Sequence, residues 1–272
     1  MPQVKENEVI TIYHIEGRKS LRAIWLCEEL DIPYKLVFQQ GDIMGSMAML
    51  RAVNPLMPIV PTVKYRGRIL VESGAILELL QTRHGKGRLA PSIESDDYPA
   101  YLMWMHFSEG TAGYRIWAYR FAAMVANVPV EGISRGHAAD AEHANMANLK
   151  SMLDFVVGTQ AVFDFMEQFL IQHPWFGGKE FSAADIMMWF SYNSAKLTAG
   201  FDTQNFPRIQ AWRKGCEARP AFKRALDNAV PGGYDEYGLP KDMPLPFETP
   251  KGEIPVPSVL TDEMKAAIAG AL

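Results

Sequence analysis

Val9-Ile10-Thr11-Ile12-Tyr13-His14-Ile15 runs up to Gly17, and Ser20-Leu21-Arg22-Ala23-Ile24-Trp25-Leu26-Cys27-Glu28-Glu29-Leu30 follows it. The first stretch is β-branched and half-alternating, as a strand requires. The second spaces Leu21, Ile24, Trp25, Leu26 and Leu30 along one face of a helix, with Ser20 as candidate N-cap or first-turn residue. Asp31-Ile32-Pro33 ends that helix. Tyr34-Lys35-Leu36-Val37-Phe38 reads as a second strand, and Met44 to Val53 as a short helix stopped by Asn54-Pro55. Thr62-Val63-Lys64-Tyr65 and Ile69-Leu70-Val71 flank Arg66-Gly67-Arg68, a hairpin. Glu72-Ser73-Gly74 opens a helix through Ile76, Leu77, Leu79 and Leu80. The order β-α-β-α-β-β-α predicts a small mixed sheet with helices on its faces.

His84 to Pro91 breaks this pattern as a linker, and after about residue 96 the strand signal disappears. Tyr98 to Ala126 reads as one long aromatic helix, His137 to His173 as one or two more, and Ser182 to Leu197, Ile209 to Ala218 and Ala221 to Ala229 as others. From Pro231 the chain becomes a proline-rich arm with a short terminal helix over Asp262 to Ala269, capped by Thr261. The expected organisation is therefore an α/β domain over residues 1–85, an all-α domain over 96–230, and an arm over 231–272.

Composition narrows the classes. The chain has 272 residues, 48% hydrophobic, enough for a sizeable core without disulfides or a structural metal. The formal charge is −4, and no basic block is present, which argues against nucleic acid as a partner. No apolar run approaches the ~18 residues of a membrane span. Two distant cysteines, Cys27 and Cys216, and a polar start favour a cytoplasmic location. The six histidines lack metal-ligand spacing, so no metal is expected. His106 reads as a satisfied, partly buried histidine, Cys27 as a small core residue, and Cys216 as incidental in a polar late helix.

Three features point to chemistry. Arg18-Lys19-Ser20 lies at a strand-to-helix turn, where unpaired N–H groups and the helix dipole favour an anion. A hydroxyl at Ser20 either donates to a thiolate or carboxylate there or merely caps the helix. Val60-Pro61 stands at the entrance of the third strand, a candidate cis bond that would leave the backbone of Val60 facing outward to pair with an extended peptide. Glu72-Ser73 opens a helix whose amides and Ser73 hydroxyl suit a carboxylate, while Glu72 suits an ammonium. The alternative is a simple capping pair.

These residues resemble the glutathione transferase superfamily. Ser20 to Leu30 is similar to the first helix of bacterial and fungal members, Asn54-Pro55-Leu56 with Val60-Pro61-Thr62 to their cis-proline loop, and Glu72-Ser73-Gly74-Ala75-Ile76-Leu77 to their glutathione-binding helix start. His106-Phe107-Ser108-Glu109-Gly110 resembles the start of their helical domain, and Phe181-Ser182-Ala183-Ala184-Asp185-Ile186-Met187 the N-capping box and buried aspartate of their sixth helix. Phe206-Pro207-Arg208-Ile209, Trp212 and Ala218-Arg219-Pro220-Ala221 resemble the final helices.

The resemblance implies a thioredoxin-like N-terminal domain joined to an all-α C-terminal domain, glutathione as co-substrate, and a homodimer. Val60, beside cis Pro61, would pair with the cysteinyl unit; Glu72 and Ser73 would hold the γ-glutamyl end; Ser20 would point at the thiol. A free thiol titrates near ~8.5, and lowering it by two units needs ~2.7 kcal/mol of preference for the anion. Members often carry a second serine two places before Ser20; Arg18 stands there, itself able to favour an anion. The loop Leu56-Met57-Pro58-Ile59-Val60-Pro61 is one residue longer than the usual pattern. Tyr114, Trp117, Tyr119 and Phe121 supply either core or an aromatic cleft for a hydrophobic electrophile. Conjugation, ether cleavage and dehalogenation remain open, beside a non-catalytic binding or scaffold role. A redox enzyme would want a cysteine where Ser20 stands. The arm would be a lid, a contact for a partner subunit, or disordered.

Overall fold

The computed structural model describes residues 9–116, 159–199, 203–235 and 238–241. Its first elements are strand β1 (Ile10–Tyr13), helix α1 (Leu21–Leu30), strand β2 (Tyr34–Val37), helix α2 (Ile43–Val53), strands β3 (Thr62–Tyr65) and β4 (Arg68–Leu70), and helix α3 (Ser73–His84). The sheet runs β2-β1-β3-β4. β1 lies parallel to β2, with Ile12 opposite Leu36, because α1 carries the chain back across the sheet. β3 lies antiparallel to both β1 and β4. The hairpin turn is the two residues Arg66 and Gly67, both at positive φ (48° and 77°), so β4 begins at Arg68 and ends at Leu70, one residue earlier at each end than expected.

The helices that follow are α4 (Tyr98–Phe107), α5 (Thr159–Leu170), α6 (Ala183–Ala199), α7 (Pro207–Glu217) and α8 (Pro220–Ala229). This is a thioredoxin-like sheet domain joined to a helical one. Prolines at the first positions of α7 and α8 set their starts just before the apolar periodicity begins. The long aromatic helix expected from Tyr98 is not uniform. A π-helical turn, Ser108–Gly113, replaces regular α-helix after Phe107. Residues 117–126, most of the expected 137–173 helices and the arm from 242 onward lie outside the described residues.

α1 is the hub of the core. It is buried on nearly every side, with α8, α3 and α6 packed against it. Trp25 meets Phe222, Phe181 and Trp189 at centroid separations of 4.8, 5.6 and 6.2 Å. Edge-to-face pairs of this kind contribute about 0.5–1.5 kcal/mol beyond the area they bury. Arg219 lies over the Phe181 ring of this cluster at 3.8 Å and forks onto Glu29 at 2.6 and 2.7 Å, fastening the start of α8 to α1.

Cys27 is fully buried as expected, its thiol raised by that burial and by Glu28. Cys216 is equally buried, an integral core residue. His106 is exposed, not part-buried, while Tyr101, Trp104 and Met105 of the same helix are buried. Tyr114 is also exposed, at 64%, so it does not belong to the core. No described helix is long and apolar enough to cross a membrane.

Candidate functional site

A groove of about 360 Å³ opens where the two parts of the chain meet. Arg18 and Lys19 from the β1–α1 loop, Ile59, Val60 and Pro61 before β3, Glu72 and Ser73 at the start of α3, and Glu109 and Phe190 from the helical part line it. Four residues expected to act together therefore share one wall: Val60, Pro61, Glu72 and Ser73. The Val60–Pro61 bond is cis, as expected. Neither backbone polar group of Val60 has a backbone partner among the described residues. Glu72 sits at φ 74°, ψ 112°, a region a glutamate adopts only under constraint. Its side chain makes no cap bond to α3, and N–H groups at such a helix start suit an anion.

Behind the groove wall lies Arg22, in contact with the lining residues Ser73, Glu109 and Phe190. Its guanidinium is buried to 1% exposure. It donates to Ser73 Oγ at 3.2 Å, Ser108 Oγ at 2.9 Å, the Met187 carbonyl at 2.7 Å and the Glu109 carboxylate, and it lies 5.1 Å from the centre of the Phe190 ring. Glu109 also takes Lys19. Burial alone would raise the Glu109 carboxyl, but the two cations hold it below its usual range. The π-helical turn is what aims Glu109 here. The spacing of apolar residues could not reveal Arg22, because its partners come from α3, the π turn and α6.

Ser20 is not brought to the groove. Its side chain has no exposed surface and makes no cap bond to α1. Its hydroxyl lies 2.7 Å from His14 Nδ1, while His14 Nε2 lies 2.8 Å from the Ala229 carbonyl. A carbonyl only accepts, so Nε2 carries the proton, and Nδ1 must accept from Ser20. Burial lowers His14 to about 4, which keeps it neutral and leaves that tautomer in place. The one proton Ser20 has to donate is thus committed away from the groove. Arg18 is placed differently. It lines the groove, its guanidinium donates to the Gly17 carbonyl at 3.3 Å, and it has no carboxylate partner among the described residues. Burial lowers it somewhat, yet a guanidinium stays charged.

Tyr114 is not among the groove residues, and Trp117, Tyr119 and Phe121 lie outside the described residues. Phe190 supplies aromatic surface in their place.

Residues 8–82 match the family described as glutathione S-transferase, N-terminal domain, and residues 145–220 match glutathione S-transferase, C-terminal domain. The chain belongs to the glutathione S-transferase superfamily. Among curated relatives, glutathione S-transferase 3 of Schizosaccharomyces pombe is 25% identical over 231 residues, covering 80% of this chain and 87% of the relative. The disulfide-bond oxidoreductase YfcG of Escherichia coli is 27% identical over 164 residues, 60% of this chain and 66% of that one. A glutathione transferase homologue from Sulfitobacter, solved with bound glutathione, shares the fold at TM-score 0.57 and 21% identity over 82% of this chain and 99% of its own.

Proposed function

We propose that the protein is a glutathione transferase whose thiol-activating group is Arg18, with Ser20 holding the loop behind it. The observation that carries this reading is a partly buried guanidinium, without a carboxylate partner among the described residues, sharing a groove with the Val60 backbone, which has no backbone partner among them, and with the start of α3. Glutathione fits these groups in order. Its γ-glutamyl ammonium meets Glu72 and its α-carboxylate meets Ser73 and the α3 amides, whose hydroxyl Arg22 polarises. The cysteinyl amide pairs with Val60. The sulfur then lies toward Arg18, and a cation in a poorly solvated groove favours thiolate over thiol.

The thiolate attacks an electrophilic carbon, forming a carbon–sulfur bond as the leaving group departs with the bonding pair. Ile59 and Phe190 give the groove an apolar wall suited to an aromatic electrophile, and ether cleavage or dehalogenation uses the same attack. A homodimer is supported by the apolar side chains exposed along α2 and its following loop, Met44, Met47, Leu56 and Met57. We assign the protein to the cytoplasm on its thiols. A disulfide reductase reading has less support, since Cys27 and Cys216 are both buried and no cysteine lies at the groove.

The test is titration of bound glutathione by thiolate absorbance. The wild-type thiol should ionise about one to two units below ~8.5, Arg18→Ala should restore most of that difference, and Ser20→Ala should change it less. An unshifted Arg18→Ala titration removes Arg18 from thiol activation. Failure of the wild type to bind glutathione at millimolar concentration removes the transferase reading, and binding without conjugation of an activated aryl halide leaves the binding-protein alternative.

A further inference from the structure

The arm does not leave the body of the protein at the end of α8. Its described residues, 231–235 and 238–241, close into a compact turn. Gly233 N–H donates to the Val230 carbonyl at 3.0 Å, Asp235 N–H to the Leu239 carbonyl at 2.8 Å, and Lys241 N–H to the Gly233 carbonyl at 3.3 Å. Leu239 N–H donates back to Asp235 Oδ1 at 2.9 Å. Tyr234, which donates to Asp227 on α8, pairs across the turn with Pro240.

This turn presents Leu239 inward, 4% exposed, against the backbone of Gly17. A β carbon at Gly17 would come within 2.4 Å of Leu239 Cδ2 and 3.8 Å of Pro240 Cδ. Gly17 also has φ +67°, so glycine is required there twice over, by conformation and by the arm. Gly17 is the residue before Arg18, and its carbonyl is what the Arg18 guanidinium touches. The other end of the same loop is fastened through His14 to the carbonyl of Ala229, the last residue of α8. The β1–α1 loop is therefore gripped from behind at two points by the C-terminal part of the chain, while its front carries Arg18 into the groove.

We propose that the turn formed by residues 231–235 and 238–241 is a strap that sets the position of Arg18 in the groove, with Leu239 as its positioning residue. This rests on the reading of Arg18 as the thiol-activating group. Leu239 is not among the residues that line the groove. It acts by filling the space behind Gly17, so that the loop has one resting place.

The experiment compares wild type, Leu239→Ala and Leu239→Met by two measurements. The first needs no ligand: hydrogen exchange of the peptide covering residues 14–20. Leu239→Ala should speed exchange there severalfold with the sheet unchanged, and Leu239→Met should restore it. The second sets the titration of bound glutathione against the affinity for S-methylglutathione, which has no ionisable thiol. Leu239→Ala should raise the bound thiol by roughly half a unit, about threefold less thiolate, and leave S-methylglutathione affinity within about twofold. Unchanged loop exchange in Leu239→Ala overturns the strap. Faster exchange with an unshifted thiol overturns its role in placing Arg18, as does an equal loss of S-methylglutathione affinity. A wild type that binds neither ligand sinks the transferase reading, and the exchange measurement then decides whether the strap holds the loop.

Discussion

Arg22 and Asp185 are both charged and both almost wholly buried, yet they are surrounded for different purposes. Asp185 accepts from Phe176 N–H, Ser182 N–H and Trp212 Nε1, each at 2.8 Å, and from Ser182 Oγ at 3.0 Å. Every one of these partners is itself buried or in the body of the helical part, and none lines the groove. Arg22 donates to Ser73 and Glu109, which do line it, and to Ser108 and Met187, which hold those elements together. One buried charge closes the end of a helix; the other ties two parts of the molecule into a binding wall. A buried charge thus marks a functional site only when some of its partners remain open to solvent.

The largest effect should fall on the first of these. Asp185→Ala leaves two backbone N–H groups and an indole N–H buried without acceptors, a loss of roughly 3–5 kcal/mol. In a chain of this size that lowers the melting midpoint by about 10 °C. Glutathione affinity of the protein that remains folded should hold. A midpoint within a degree or two of wild type would show that Asp185 is dispensable to the fold and would erase the contrast.

Arg22→Met should do the reverse. Methionine replaces the aliphatic stem, Lys19 still pairs with Glu109 and Ser108 Oγ still donates to the Met187 carbonyl, so the loss of stability, about 1–3 kcal/mol, stays below that of Asp185→Ala. Ser73 then loses its donor and Glu109 is left with Lys19, so glutathione binding should weaken about tenfold, or ~1.4 kcal/mol. Calorimetry with glutathione and a thermal melt on the same sample separate the outcomes. A variant that melts far lower but binds normally would place Arg22 beside Asp185 as a residue of the fold.

The same contrast explains what was legible in the chain. Asp185 could be found because Ser182 lies three residues before it, and a helix start is a local pattern. The β-α-β order, the cis Val60–Pro61 bond and the opening of α3 at Glu72-Ser73 are local in the same sense. Arg22 is not: Ser73, Ser108 and Met187 are 51, 86 and 165 residues away. Ser20 misled for the related reason that a hydroxyl's direction is set by its nearest strong acceptor, here His14, and the fold of the intervening loop decides whether that acceptor is within reach. The seat of Leu239 against Gly17 joins residues more than two hundred positions apart, and only packing reveals it.

The smallest net effect should appear in the pH dependence, where Asp185 meets His14. Burial raises Asp185 from 3.8 to about 6 and lowers His14 from 6.5 to about 4. As pH falls from 6.5 to 4, the unfolded chain takes up a proton at His14 that the folded chain refuses, so stability is lost. As pH falls from 6 to 3.8, the folded chain takes up a proton at Asp185 that the unfolded chain does not yet bind, so stability is gained. Each contribution is on the order of 3 kcal/mol, and across pH 4 to 6 they largely offset each other. Glu109, held below its ordinary value of 4.5, starts to lose its share only as pH falls below about 4.5, at the acid end of this range. Urea midpoints measured from pH 6.5 to 4 should therefore move little in the wild type. His14→Gln removes the falling part and should make the midpoint rise on acidification, while Asp185→Asn removes the rising part and should make it fall. Slopes that match the wild type in both variants would mean that neither group changes its protonation on unfolding, and the burial of His14 behind the Arg18 loop would then carry no acid sensitivity.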